Sequence, residues 1–317
     1  MQARDENISM FHLTRRAALG GLAPALLART LPSLAASPPA ALPGTYALPD
    51  GLAKVSGSLV VLPARPGGPA TTRILDVTMT PLGSTRPVTR YDVELSKRLH
   101  IIAVSDDMTT FLHEHGERPD TDGHFRVPMT FPHAGIWHVY ADAVPTGLGQ
   151  QVLRFEVNLG GPPLPRRATL QPTGRDGADG RYGVRFDVLD LQAGQEAALS
   201  LQILRDGVRA PDVTPYLGVA AHAVFIDAAD LTYVHAHATP AAAQATGGAA
   251  APMKHDMPGM PGMSMPQAGG APMRPGRPVS PDLTLHVRAP KAGTYLLWLQ
   301  FMAGGQVRTV PFVVAVT

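Results

Sequence analysis

His100-Ile101-Ile102-Ala103-Val104, Ser105-Asp106-Asp107-Met108 and Phe111-Leu112-His113-Glu114-His115 follow one another closely enough to read as strand, turn and strand. β-Branched and aromatic residues fill the two runs, and Ser and Asp punctuate them. The pattern returns as His222-Ala223-Val224-Phe225-Ile226 and Tyr233-Val234-His235-Ala236-His237. It is ungapped, at a constant offset of 122 residues (222 − 100, 235 − 113, 237 − 115). A hairpin repeated in register points to a duplicated domain.

Working outward, Pro132-His133-Ala134-Gly135-Ile136-Trp137 matches Pro290-Lys291-Ala292-Gly293-Thr294-Tyr295, now at an offset of 158 (290 − 132). The second copy therefore carries 36 extra residues (158 − 122), and a methionine-rich segment lies where they fall. Pro-x-Ala-Gly-x-aromatic suits the turn into a late strand of an immunoglobulin-like sandwich, with Gly for the turn and the aromatic for the core. Glycine and proline each number 32, and the apolar runs are short and bounded by turn residues. Helical 3.6-residue stripes do not occur beyond the N-terminal leader. The expectation is an all-β chain: two tandem immunoglobulin-like β-sandwich domains, 45–159 and 166–317, joined by the Pro/Gly linker 160–165. Strands are expected near 55–62, 73–80, 98–104, 109–115, 124–131, 136–142 and 151–158. In the second copy they are expected near 166–171, 182–189, 196–204, 219–226, 231–237, 282–288, 293–301 and 306–316.

Ahead of the first domain, Thr14-Arg15-Arg16-Ala17-Ala18-Leu19 opens a short apolar run that Arg29 breaks, and small residues follow at Ser33, Ala35 and Ala36. That is the pattern of a twin-arginine signal peptide, expected over 1–36 and removed on export, which places the mature protein in the periplasm or outside the cell. With no cysteine, a lipoprotein anchor, disulfides and thiolate ligands are excluded. The leader holds Arg4, Arg15, Arg16 and Arg29 against Asp5 and Glu6. Removing them from 27 basic and 25 acidic residues leaves 23 of each. A neutral mature chain argues against nucleic acid as a partner, and no later stretch is apolar enough to form an integral membrane segment.

The repeated histidines are the candidate site. Residues i and i+2 of a strand share a face about 6.6 Å apart, so His113 and His115 can converge on one ion. The third ligand depends on hairpin register. If residues whose numbers sum to 213 or 215 pair across the turn, His100 stands opposite His113 or His115, with Cβ atoms about 4.5–5.5 Å apart. A one-residue slip sends it to the other face. The same holds for His222, His235 and His237. The histidines run in phase with Ile102, Val104 and Phe111, or with Val224, Ile226 and Tyr233, which places them toward strand ends at the sandwich rim. Neutral imidazoles without thiolates suit Cu(II), Zn(II) or Ni(II). The alternative is hydrogen-bonded rim histidines that pin loops. His124, His133, His138 and His286 have no counterparts and read as structural or surface residues; Glu114, replaced by Ala236 in the second copy, reads as a solvent-face charge.

A segment expected to be disordered, 239–280, contains Met253, His255, Met257, Met260, Met263, Met265 and Met273. Its Ala, Gly and Pro cannot build a core. A low-complexity linker accounts for 239–251 but not for clustered methionines, whose thioethers are soft donors suited to Cu(I).

The set His100…Phe111-Leu112-His113-Glu114-His115, Pro132-x-Ala-Gly and Gln150-Gln151, with Asp212…Pro215-Tyr216-Leu217-Gly218…His222…Tyr233-Val234-His235-Ala236-His237, resembles a family of exported bacterial tandem immunoglobulin-like proteins. These are similar in kind to YtkA-like domains and are associated with heavy-metal and copper resistance. The resemblance implies a β-sandwich and the His-x-His positions, and it carries no reaction. Members usually have proline after the second histidine, where this chain has Gly116 and Ala238. No Ser-His-Asp arrangement, nucleotide loop or paired-carboxylate motif marks an enzyme. The expectation is a periplasmic metal-binding protein that buffers or delivers copper, Cu(I) or Cu(II), with zinc as the other candidate ion and a periplasmic copper protein as a possible recipient. The rival is a non-metal interaction module of the cell envelope.

Overall fold

The computed structural model describes residues 39–49, 51–64, 71–161, 170–241 and 272–317. The expected signal peptide, most of the linker and the methionine cluster from Met253 to Met265 lie outside the described residues. The strands of the first half are β1 (Leu42–Pro43), β2 (Thr45–Tyr46), β3 (Val55–Pro63), β4 (Thr72–Pro81), β5 (Tyr91–Asp92), β6 (Leu99–Ser105), β7 (Phe111–Gly116), β8 (Phe125–Thr130), β9 (Ile136–Pro145) and β10 (Gln151–Asn158). Those of the second half are β11 (Asp176–Asp179), β12 (Tyr182–Phe186), β13 (Glu196–Arg205), β14 (Val208–Arg209), β15 (Val213–Thr214), β16 (Ala221–Asp227), β17 (Tyr233–Pro240), β18 (Asp282–Arg288), β19 (Gly293–Ala303) and β20 (Gln306–Val316). The protein is an all-β sandwich, with every neighbouring pair of strands antiparallel.

In the first half, the sheet β1-β3-β4-β8 faces the sheet β2-β10-β9-β6-β7, with β5 paired to β9. Alternation drives the packing. Along β8, Phe125, Val127 and Met129 are buried while Arg126, Pro128 and Thr130 are exposed, the period-2 pattern of a strand with one face on the core. In the second half the order β11-β12-β13-β18-β17-β16-β19 is continuous, with β14 on β13 and both β15 and β20 on β19. Thr239 and Pro240 pair with Thr284 and Leu283, so the end of β17 stitches the two layers together. Those two residues, and Val279, whose amide donates to the Val213 carbonyl, are built into the sandwich at the edges of the segment expected to lack structure.

β6 and β16 are buried at every position, and the reason positions the site. Leu99, Ile101 and Ala103 fill the first core, and Ala221, Ala223 and Phe225 fill the second. Their alternate neighbours Ile102, Val104, Val224 and Ile226 meet in a third apolar cluster with Tyr140, Tyr233, Leu296 and Trp298. The two halves thus press the outer faces of their β6 and β16 sheets together, and Pro39–Thr317 forms one compact unit. Phe111 stacks on Trp298 at 5.0 Å and Tyr233 on Tyr140 at 5.1 Å. Tyr233 follows Phe111 by 122 residues (233 − 111) and Trp298 follows Tyr140 by 158 (298 − 140), the two offsets of the repeat. The contacts are one contact made twice, as across a twofold axis.

This corrects the expectation that the histidines sit at a sandwich rim. They share a face with Ile102 and Val224, as expected, but that face looks away from each half's own core and is covered by the other half. Strands buried on both faces give continuous apolar runs, from which sequence alone does not tell the core face from the interface. The strand expected at 166–171 also differs: residues 170 and 171 carry none, and β11 lies further on. The two-residue strands β1, β2, β5, β14 and β15 are too short to show alternation.

Candidate metal centre

β6 and β7 pair in the register that sets His100 opposite His115 and Ile102 opposite His113; β16 and β17 set His222 opposite His237 and Val224 opposite His235. This is the register summing to 215, one of the two that keep all three rings on one face. Ring centroids in the first triad lie 5.4, 5.1 and 4.5 Å apart, and in the second 5.5, 5.2 and 4.7 Å. In each triad one nitrogen from every ring lies within 4.8 Å of the other two.

The outward nitrogens are held by acceptors. His100 Nε2 donates to the carbonyl of Glu94 (3.3 Å) and His222 Nε2 to that of Tyr216 (3.1 Å). Both carbonyls come from duplicated tight turns. Leu95 and Ser96 have φ of 47° and 74°, and Leu217 and Gly218 have 53° and 85°. The turns close through Glu94–Lys97 and Tyr216–Val219 backbone hydrogen bonds. Two consecutive positive φ values make the primed turn that matches strand twist. A leucine there is strained, which persists only where the surroundings dictate it. His113 Nδ1 donates to Gln300 Oε1 (2.7 Å), and His235 Nδ1 donates to Asp142 Oδ2 (3.1 Å). Each of these acceptors belongs to the opposite half, on β19 and β9, so each triad is oriented by its neighbour. Asp142 pairs with His100 and Gln300 with His222 in the strand ladders, and the two are repeat counterparts (300 − 142 is again 158).

With the outer nitrogens donating, the inner ones carry lone pairs. His100 Nδ1 and His113 Nε2 face each other at 3.2 Å, and His222 Nδ1 and His235 Nε2 at 3.3 Å. In the second triad a carboxylate and a carbonyl only accept, so both tautomers are fixed and no proton is left for the gap between the rings. Nitrogens bonded to one ion at about 2.0–2.1 Å with trigonal or tetrahedral angles stand about 3.3–3.6 Å apart, which the 3.3 Å of the second triad meets and the 3.2 Å of the first falls just short of. His115 Nε2 and His237 Nε2, the third members, are buried with no hydrogen-bond partner among the described residues. Ligating histidines with the far nitrogen donating to carbonyl or carboxylate are the usual outer arrangement of a metal site.

Burial keeps the rings neutral. Desolvation pushes His100, His235 and His237 down to about 3, His113 to about 4 and His115 to about 2, and pushes His222 well below its ordinary value. Mutual repulsion among the rings adds to this for His100, His115, His222, His235 and His237. The neutral form is the one that binds metal. Asp142 is fully buried and receives His235 Nδ1, Tyr233 Oη (3.1 Å) and Gln150 Nε2 (2.9 Å). Burial pushes its carboxyl upward, and burial together with the Asp142 charge pushes Glu94 upward as well. The described site residues are therefore six neutral imidazoles beside two acidic groups: buried histidine triads that can hold a metal ion.

Of the other described histidines, three stand apart from the triads. His124 meets Asp76 (2.7 Å), His138 meets Asp106 (2.9 Å) and His133 stacks on Trp137 (4.7 Å). His286 stands beside His237 in the β17–β18 ladder. Glu114 is exposed. At Gly116, after His115, a Cβ would come within 2.6 Å of the Phe125 ring, a steric reason for glycine there. Met253, His255, Met257, Met260, Met263 and Met265 lie outside the described residues. Their segment leaves from β17, the strand of His235 and His237, and re-enters at Pro272, beside Gly218. Sequence reasoning passed over Asp142, Gln300, Glu94 and Tyr216. Extending the two offsets from the matched motifs finds all four as pairs.

Residues 176–317 match a family model described as a domain of unknown function, DUF8832. The matched region holds the second triad. No curated protein and no solved structure matches the chain.

Proposed function

We propose that the protein is an exported copper-binding protein that buffers or delivers the metal in the periplasm. The observation that carries the metal reading is the inward convergence of imidazole lone pairs in both triads, with every outward nitrogen of His222 and His235 fixed by an acceptor. Copper is favoured over zinc by the company the triads keep: the clustered thioethers of Met253, Met257, Met260, Met263 and Met265 suit Cu(I), on a segment tethered next to the second triad. The twin-arginine leader and the resemblance to the YtkA-like, metal-resistance group belong to the same proposal, as does hand-over to a partner copper protein.

Titration of the mature chain with Cu(II) in air and Cu(I) under anaerobic conditions tests this reading. Two Cu(II) ions per chain at sub-micromolar affinity are expected, with one lost in His222→Ala/His235→Ala/His237→Ala, and Cu(I) is expected to fill the methionine segment as well. Binding that is absent, or that the triple substitution leaves unchanged, would contradict it.

A further inference from the structure

His100 is nearly as close to the opposite triad as to its own, where His115 is its nearest ring at 5.1 Å. Its ring centroid lies 5.4 Å from His113 and 5.4 Å from His235. His100 and His222 are 6.3 Å apart, His113 and His222 6.2 Å, and His113 and His235 6.4 Å. The triads are adjacent, with no side chain needed to bridge them. Their symmetry breaks in the turns, where Glu94 stands for Tyr216, and in the acceptors behind His235 and His113, which touch the rings through side chains. The acceptor behind His235 is the carboxylate of Asp142, and its counterpart behind His113 is the amide of Gln300. Gln300 is itself tied to Thr309 Oγ1 (3.0 Å). A carboxylate on the far N–H makes an imidazole a stronger donor and places negative charge near a bound cation; an amide does only the orienting.

We propose that the six imidazoles form one dinuclear centre across the interface of the two halves, and that Asp142 makes it unequal, so that the first divalent ion enters the His222–His235–His237 triad and the second the His100–His113–His115 triad. The proposal rests on the metal reading above. The order follows from charge. A first divalent ion draws on the carboxylate that its own ligand contacts. A second ion enters a site oriented by an amide and a few ångström from a cation already present, so Coulomb repulsion in a dry interior weakens it further. Two monovalent ions repel less, which leaves the Cu(I) pair closer to equal. Asp142 acts here through His235 and is a positioning residue.

Cu(II) is the probe, added stepwise to the full mature chain and read by electron paramagnetic resonance and by competition with a chelator. One equivalent is expected to give a single isolated signal. A second is expected to bind at least tenfold more weakly and to bring spin coupling, seen as a half-field transition or an integrated intensity below two spins per chain. His235→Ala should remove the tighter ion and His113→Ala the weaker one. Asp142→Asn, which keeps an acceptor for His235, should weaken the first ion by about ten- to a hundredfold, the usual span for an outer partner of a ligand. Gln300→Glu, which works in the opposite sense and leaves Asp142 untouched, should tighten the second. Two ions with independent signals would overturn the dinuclear centre, and affinities unchanged in both Asp142→Asn and Gln300→Glu would overturn its inequality, either result leaving the triads as metal sites. Absence of any bound copper would instead remove the metal reading, and the paired centre with it.

Discussion

A histidine that donates from one nitrogen to a carbonyl or carboxylate has its other nitrogen committed to accepting. In the second triad two such rings face each other at hydrogen-bond distance with nothing to share, the residue-level signature of a binding site, and His100 and His113 repeat the spacing in the first. The same burial has a cost in acid. The imidazoles have unfolded values near 6.5 and folded values displaced downward to about 2–4 for His100, His113, His115, His235 and His237. Below the unfolded value the unfolded chain takes up protons that the folded chain refuses, so stability is present above about pH 6.5 and is lost as pH falls toward the folded values. Each fully depressed ring contributes a slope of about 1.4 kcal/mol per pH unit. Asp142 and Glu94, displaced upward, act in the opposite sense but are outnumbered. Urea unfolding of metal-free protein should therefore show a midpoint that drops from pH 7 to pH 5, and drops less in a His222→Asn/His235→Asn variant. An unchanged wild-type midpoint would contradict neutral burial.

Elements bring these residues together through register and through the sheet face they occupy. The register was legible from sequence because His100 and the His113/His115 pair frame a short turn, and only two registers keep three rings on one side. The face was only half legible. Phase with Ile102 and Val104 identified the right side of β6, yet a strand apolar on both sides does not reveal which side meets its own core. The oriented acceptors escaped notice because Asp142 and Gln300 differ chemically; only their position in the repeat relates them. The β9 and β19 strands that carry them also carry the stacked interface rings Tyr140 and Trp298. A double-mutant cycle on Phe111→Ala and Trp298→Ala should return a coupling of about 0.5–1.5 kcal/mol, the range for a stacked aromatic pair. Either single substitution should also loosen metal at the first triad, since His113 is held by Gln300 two residues beyond Trp298. Additive effects on stability with intact metal affinity would separate the interface from the site.

At the scale of the whole molecule, duplication is what creates the centre. One half alone presents three imidazoles on an open sheet face. Two halves joined about a local twofold bury His100, His222 and His235, half-bury the other three rings and supply each other's acceptors. The fold class and the two histidine triads were readable from composition, turn signals and the offset of 122. The joining of the halves was not, because it depends on which exposed face each sheet hides, a tertiary choice without a local signal. The chain that carries the clustered methionines follows β17, the strand of His235 and His237. Extended X-ray absorption at the copper edge, on full-length mature protein loaded with two equivalents of Cu(II), tests the central claim most directly. Nitrogen scatterers at about 2.0 Å with the outer-shell pattern of imidazole rings are expected. A first shell of oxygen alone, or of thioether sulfur alone, would contradict it.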